Sequence, residues 1–472
     1  MKRKIIYRSV DVQQVRVAEL LPLLVAGCIV AMDVAKEKFV VALATLAGEV
    51  VKLVRFQHPT QTRAFLAVVE ELRAALGADK VVAAMEPTGT YGDAVRLQLV
   101  RAGVPVHMVS PKRTHDSKEL FDGVPSLHDP KSAVLVAKLE SMQLSTPWSE
   151  PPATRVRLRA LVDARQHQRA QEEMSFGRLE AALARHWPEH GQWMDVREQM
   201  SALRLLVEYP SPARVAKEPE KARSLLRSAS RGRLSVQAIE GVITGAKETL
   251  GVPMVAEEEQ LVSMLATSLI SARQCAESLE RQMLEVAKDD EVFLRLARWM
   301  GTYTAAVIVT HVDPRQYSHA PQLEKACGMN LREKSSGESN GRLSLTKRGP
   351  GVVRQVLYMF ALRMIQESAI VRAWYQRRRG YSEQSRMRAI VAVMRKLVGA
   401  LFHVARGQEF DATKLFDVRR LELEQQSTTA STDDAMTPAS LKPAAPTPRT
   451  TPRPSARGTK RSRATGAAQA SA

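Results

Sequence analysis

Two apolar runs that each stop at a carboxylate constrain this chain more than any other feature. Cys28-Ile29-Val30-Ala31-Met32 ends at Asp33, and Val81-Val82-Ala83-Ala84-Met85 ends at Glu86. Short continuous apolar runs bounded by turn residues read as strands covered on both faces. A carboxylate at the end of such a strand needs a cation or donors to offset its desolvation. The pattern around these runs predicts strands over 27–33, 38–45, 49–57, 80–86 and 104–109. It predicts helices over 59–77, 91–102 and 130–142. The first three strands follow one another through short turns and are expected to be antiparallel. Phe65, Leu66, Val69, Leu72 and Leu76 share one face of the first helix.

Three strands followed by helix–strand–helix–strand–helix is the order of a ribonuclease-H-like, RuvC-like α/β fold with a mixed sheet. We place it at 27–150, after an N-terminal extension at 1–26. Residues 151–290 are expected to be a helical or coiled-coil region. Its segments 154–187 and 257–288 are rich in Arg, Glu, Gln, Ala and Leu. Such helices serve either a dimer coiled coil or packing within the chain. A third, mainly helical unit is expected at 291–410, with helices over 350–367 and 384–405 flanking an Arg377-Arg378-Arg379-Gly380 loop. From 424 to 472, Ser, Thr, Pro, Ala and Arg dominate, and this basic tail is expected to be disordered.

The formal charge of +19 and pI near 10.0 call for a polyanion partner. The excess is local: residues 328–396 hold 15 Lys/Arg against 4 Asp/Glu. Three widely spaced cysteines, Cys28, Cys275 and Cys327, offer neither a disulfide framework nor a zinc motif. A reduced, cytoplasmic setting is expected. The start of the chain superficially resembles a lipoprotein signal, but Asp11, Arg16 and Glu19 interrupt its apolar core. No membrane span is expected, because Leu20 to Met32 falls short of the ~20 residues required.

Phosphodiester chemistry needs a divalent metal, and Mg²⁺ takes oxygen ligands while keeping several waters. Neighbouring parallel strands would bring Asp33 and Glu86 together. A helix packed across them would deliver Asp129 and, one turn on, residue 132. Asp129 before Pro130 also has the form of an N-cap with proline at N1, and alone it reads sooner as a cap than as a ligand. Ser336 sits in Lys334-Ser335-Ser336-Gly337, expected to be a flexible polar loop between apolar helices. Nearby cations would stabilise phosphate charge there, although by composition the stretch is an ordinary Ser/Gly loop.

Taken together, the pieces resemble the DEDD transposases of the insertion-sequence 110 family over nearly the whole ordered length. The matching pieces are Asp33-Val34-Ala35-Lys36, Glu86-Pro87-Thr88-Gly89-Thr90-Tyr91 and His128-Asp129-Pro130-Lys131-Ser132-Ala133. Further matches are Ser336-Gly337, Lys347-Arg348-Gly349 and Ala392-Val393-Met394-Arg395-Lys396-Leu397. The resemblance implies metal-binding Asp33, Glu86 and Asp129, a Mg²⁺ cofactor, and Ser336 as nucleophile forming a phosphoserine link to DNA. It also implies DNA ends and target as substrates, a structured guide RNA, and a homo-oligomer, dimer or tetramer, with sites shared between protomers. Lys334, Arg342, Lys347, Arg348, Arg377, Arg378, Arg379, Arg395 and Lys396 are the expected nucleic-acid contacts. Two departures stand out. The family's fourth acid is Ser132 here, and Trp299-Met300-Gly301-Thr302-Tyr303-Thr304-Ala305 is an altered version of a glycine-rich helical hairpin. A degenerate copy that binds RNA or DNA without recombining it is the alternative. A sugar-kinase-like ATPase would need glycine-rich phosphate turns that are absent.

Overall fold

The computed structural model describes residues 7–87, 89–336 and 339–416, and for 334–336 and 339–342 the backbone alone. The expected tail at 424–472 lies outside the described residues.

A seven-stranded sheet has the order β1-β4-β3-β2-β5-β6-β7. Its strands are β1 (Val10–Asp11), β2 (Cys28–Asp33), β3 (Lys38–Ala44), β4 (Val50–Gln57), β5 (Val81–Met85), β6 (Val106–Met108) and β7 (Thr146–Pro147). β2, β3 and β4 form the antiparallel meander, while β5 pairs parallel to β2, and β6 parallel to β5. This is a ribonuclease-H-like mixed sheet with one short strand added at each edge.

Period-two alternation sorts the side chains between two layers. Val30, Met32, Phe39, Val41 and Met85 face helices α1 (Thr62–Leu76) and α2 (Asp93–Arg101). Phe39, Phe56 and Phe65 stack in series across that interface, with centroids 5.0 and 4.5 Å apart. Ile29, Ala31, Ala42, Ala44 and Ala84 face helix α3 (Asp129–Ser141), which offers Ala133, Val136 and Ala137 in return. Small residues on both partners let α3 lie close to the sheet.

Residues before 27 do not simply precede the domain. β1 pairs parallel to β4, and Val12, Val17, Leu20 and Leu24 enter the core on the α1 side. Tyr7 packs on the opposite, α3 side.

Helices α4 (Ala153–His186) and α5 (Ala256–Val286) run against each other within the chain. Short helices between them close a core of their own around Trp187, Leu205, Ile243 and Leu265. The other ends of the pair, through Leu158, Val162 and Met283, enter the C-terminal core. That core is built by α6 (Glu291–Met300), α7 (Thr302–Val312), α8 (Ala320–Ala326), α9 (Gly351–Glu367), α10 (Ala369–Arg378) and α11 (Glu383–Val404). Among the described residues no helix is long and apolar enough to cross a membrane.

Two sequence expectations are corrected. The stretch around Ser336 is not a loop but a β-hairpin, β8 (Leu331–Ser336) with β9 (Ser339–Leu345), in antiparallel register from Leu331↔Leu345 to Ser336↔Ser339. Pairing within the stretch satisfies backbone groups that a loop would leave to water. Arg377 and Arg378 likewise end a helix, α10, and only Arg379 caps it. Ser368 caps that helix at its start, its hydroxyl accepting from the Val371 N–H.

The base of the hairpin depends on glycine. Gly328, at φ +70, and Gly349 let two chain segments touch: a Cβ on Gly349 would lie 2.3 Å from the Ala326 carbonyl oxygen. Gly349→Ala is therefore expected to cost about 1–3 kcal/mol, the usual range for overpacking. It should lower the melting temperature of the full chain, measured by calorimetry, and displace the hairpin.

Candidate active site

The parallel register of β2 and β5 pairs Met32 with Met85, so Asp33 and Glu86 follow at the same level. Both share the parity of Ala31 and Ala84 and so fall on the α3 side of the sheet. Asp129 begins α3, which crosses β2, β3 and β5 on that side. The three acids therefore come from the C-terminal ends of two buried strands and the N-terminus of one helix.

Their charges act on one another. The Asp33 carboxyl is pushed up to about 7, first by burial, then by the negative charges of Asp129 and Glu86, while the Val34 N–H opposes the shift. Asp33 and Glu86 are half-buried and Asp129 is exposed. Mutual repulsion among oxygen donors is what a hard divalent cation would relieve. Yet among the described residues no group of three His, Cys, Asp or Glu already stands arranged to hold a metal ion. The donor set fits a divalent cation in its chemistry, without being drawn together around one.

Asp129 is not the N-cap its sequence suggested. His128 occupies that position, its Nδ1 accepting from the Lys131 N–H at 3.4 Å, and Asp129 is the first helical residue. The histidine takes over capping and releases the aspartate from that role. Negative charge in a first helical turn is also favoured by the helix dipole. Ser132 lies one turn on and is buried, 7% exposed.

A carboxylate at 132 would enter a buried position one helical turn from Asp129. Ser132→Asp is expected to lower the melting temperature of the metal-free protein and to enlarge the stabilisation given by Mg²⁺. Thermal melts with chelator and with Mg²⁺ check both signs.

Ser336 belongs to a different unit. Its hairpin rises from the C-terminal core, where Cys327, Met329 and Leu345 are packed, apart from the core beneath the acids. At the hairpin base, Thr346 N–H donates to the Asn330 carbonyl at 2.9 Å, and Lys347 N–H donates to the Gly328 carbonyl at 3.2 Å. Lys347 and Arg348 are exposed there. The side chains of Lys334, Ser336 and Arg342 lie outside the described residues. Cys327 is no alternative nucleophile, because burial and Glu324 push its thiol up to about 12.

The other expected cationic contacts divide. Arg377, Arg378 and Arg379 are exposed at the end of α10, with Arg378 over the Trp374 ring at 4.4 Å. Arg395 instead pairs with Glu324 at 2.6 Å, and the Lys396 ammonium donates to the Leu415 carbonyl beside Trp374 and Phe416. These two hold α11 to its neighbours. Sequence reasoning passed over Tyr381, fully exposed just after the arginines. An aromatic among cations was the available signal, since bases stack on such rings. The Trp299–Ala305 segment spans the end of α6 and the start of α7, joined through Gly301 at φ +90.

Comparison with protein families agrees with this layout. Residues 30–188 match a transposase family model, the DEDD transposases of IS110. Residues 299–376 match the Transposase IS116/IS110/IS902 family. No curated protein matches the chain. The first match contains most of β2, all of β3 to β7 and the three acids, and the second contains the Ser336 hairpin. With both parts present, in order, on a ribonuclease-H-like sheet and a helical C-terminal unit, the chain belongs to the IS110 family of transposases, enzymes that move DNA with an acidic site suited to a divalent metal.

Proposed function

We propose that this protein cuts and rejoins DNA for an insertion sequence, with Asp33, Glu86 and Asp129 holding Mg²⁺ and Ser336 acting as nucleophile. The observation that carries the reading is the placement of three acids at the ends of β2 and β5 and the start of α3, where burial and then the charges of Asp129 and Glu86 push the Asp33 carboxyl up to about 7. When bound, the metal would neutralise the scissile phosphate and stabilise the leaving oxygen. The Ser336 Oγ forms a bond to phosphorus as the bond to a deoxyribose oxygen breaks, and that oxygen leaves as a hydroxyl after taking up a proton. A free hydroxyl end of a second strand then attacks the phosphoserine, restoring a phosphodiester and returning the proton to Oγ. Lys347, Arg348 and Arg377 to Arg379 supply positive charge for the backbone, and Tyr381 supplies a stacking face.

Because the acids and Ser336 belong to separately packed units, a site assembled from two protomers is consistent with this chemistry, as is a structured element-derived RNA as guide. The α4–α5 pair packs within one chain and leaves its outer faces for a dimer contact. A second reading, a copy that binds nucleic acid without recombining it, is favoured by Ser132 in place of an acid. Purified protein with Mg²⁺, the flanking RNA of the element and a donor–target DNA pair decides between them. Joined product supports the recombinase; binding without joining supports the second reading.

A further inference from the structure

Three groups meet around the residues flanking Asp129, and no part of the proposed chemistry uses them. Lys131 is 2% exposed, although it carries a full positive charge two residues into α3. Its ammonium donates to Asp122 Oδ1 at 2.8 Å and to the Val124 carbonyl at 2.6 Å. Asp122 Oδ1 also accepts from the Val124 N–H at 2.9 Å, and Asp122 Oδ2 accepts from the Tyr7 hydroxyl at 2.7 Å. The Tyr7 ring stands edge-on to His128, centroids 4.8 Å apart at 84°. His128 is the cap of α3 and the residue before Asp129.

The surroundings give this cluster a task. The chain from 119 to 129 is almost wholly exposed, so little apolar packing fixes the approach to Asp129. A buried ammonium, by contrast, holds its partners tightly, because leaving it unpaired is costly. Tyr7 is anchored independently: β1 follows it, pairs with β4, and ties Asp11 to Gln61.

We infer that Tyr7, Asp122 and Lys131 form a clamp through which the N-terminal segment positions Asp129 for metal binding. They are positioning residues, and the inference rests on the reading of Asp129 as a metal ligand. Tyr7→Phe removes one hydroxyl and keeps the ring against His128. Asp122→Asn keeps the shape and removes the charge opposite Lys131.

The test uses the full chain and Mn²⁺ alone, with affinity read by electron paramagnetic resonance. Amide exchange of 117–131 and metal-free melting are followed alongside, with Asp33→Asn as the control. Outer residues that orient ligands typically change metal affinity 10–100-fold, and about tenfold weakening is expected for each clamp variant, with faster exchange across 117–131. If both variants bind Mn²⁺ as wild type does, while Asp33→Asn does not, the clamp is merely structural and the inference is overturned, leaving the acid site standing. If wild type itself binds no Mn²⁺, the metal reading falls and the clamp with it.

Discussion

Asp33→Asn is expected to abolish strand joining and, in the same protein, to raise the melting temperature above pH 7 in the absence of metal. The two effects share one cause. Burial first, and then the negative charges of Asp129 and Glu86, raise the Asp33 pKa from 3.8 to about 7. A raised acid stabilises the fold while protonated, and that contribution is complete below pH about 4. It is lost as the pH climbs through about 7, because the unfolded chain then releases its proton more readily than the folded one. The penalty carried at pH 8 is on the order of 2–4 kcal/mol. Asparagine keeps the shape without the charge, so the variant should be more stable at pH 8 and nearly equal to wild type at pH 4. Mg²⁺ at pH 8 should stabilise wild type and leave the variant unmoved. Joining should fall by more than about a hundredfold, since even groups behind a metal ligand cost 10–100-fold. Calorimetry across pH 4–8 with chelator, beside the joining assay, checks both signs. A variant that is less stable than wild type at every pH would refute the raised pKa of Asp33.

Ser336→Ala should cost about 10⁴-fold or more in joined product, the scale for loss of a covalent nucleophile. Ser336 closes β8 opposite Ser339, and that backbone pairing does not need its hydroxyl. Nucleic-acid affinity and melting temperature are therefore expected to stay near those of wild type. Protein-linked DNA, trapped by denaturation and seen by gel electrophoresis, should vanish. Ser335→Ala, one residue earlier, should keep the linkage. Persistence of linked DNA in Ser336→Ala with its loss in Ser335→Ala would move the nucleophile by one position.

Much of this architecture is legible in the sequence. Buried runs such as Cys28–Met32 and Val81–Met85 specify central strands because only strands covered on both faces are apolar at every position. Their terminal acids stand out for the same reason, since a charge at the end of a buried strand needs a partner. The long α4 and α5 helices follow from local periodicity. The Ser336 stretch was harder to read. Its polar, Gly- and Ser-rich composition is that of a loop, and a two-stranded hairpin gains its hydrogen bonds only when both halves meet. Arg395 and Lys396 look like a nucleic-acid face until Glu324 and the Trp374–Phe416 pair come beside them. His128 rather than Asp129 caps α3, a choice of one residue that backbone torsions make and composition does not.

By itself the sequence determined the central strands, the long helices and the residue types available for chemistry, because burial pattern and periodicity are local properties. Only the tertiary structure decided how strongly burial and the neighbouring acids act on Asp33, that Lys131 is buried against Asp122, and that Tyr7 reaches them from the start of the chain. Those contacts join residues up to 115 positions apart, and electrostatic and hydrogen-bond energies depend on distance in space rather than on order along the chain.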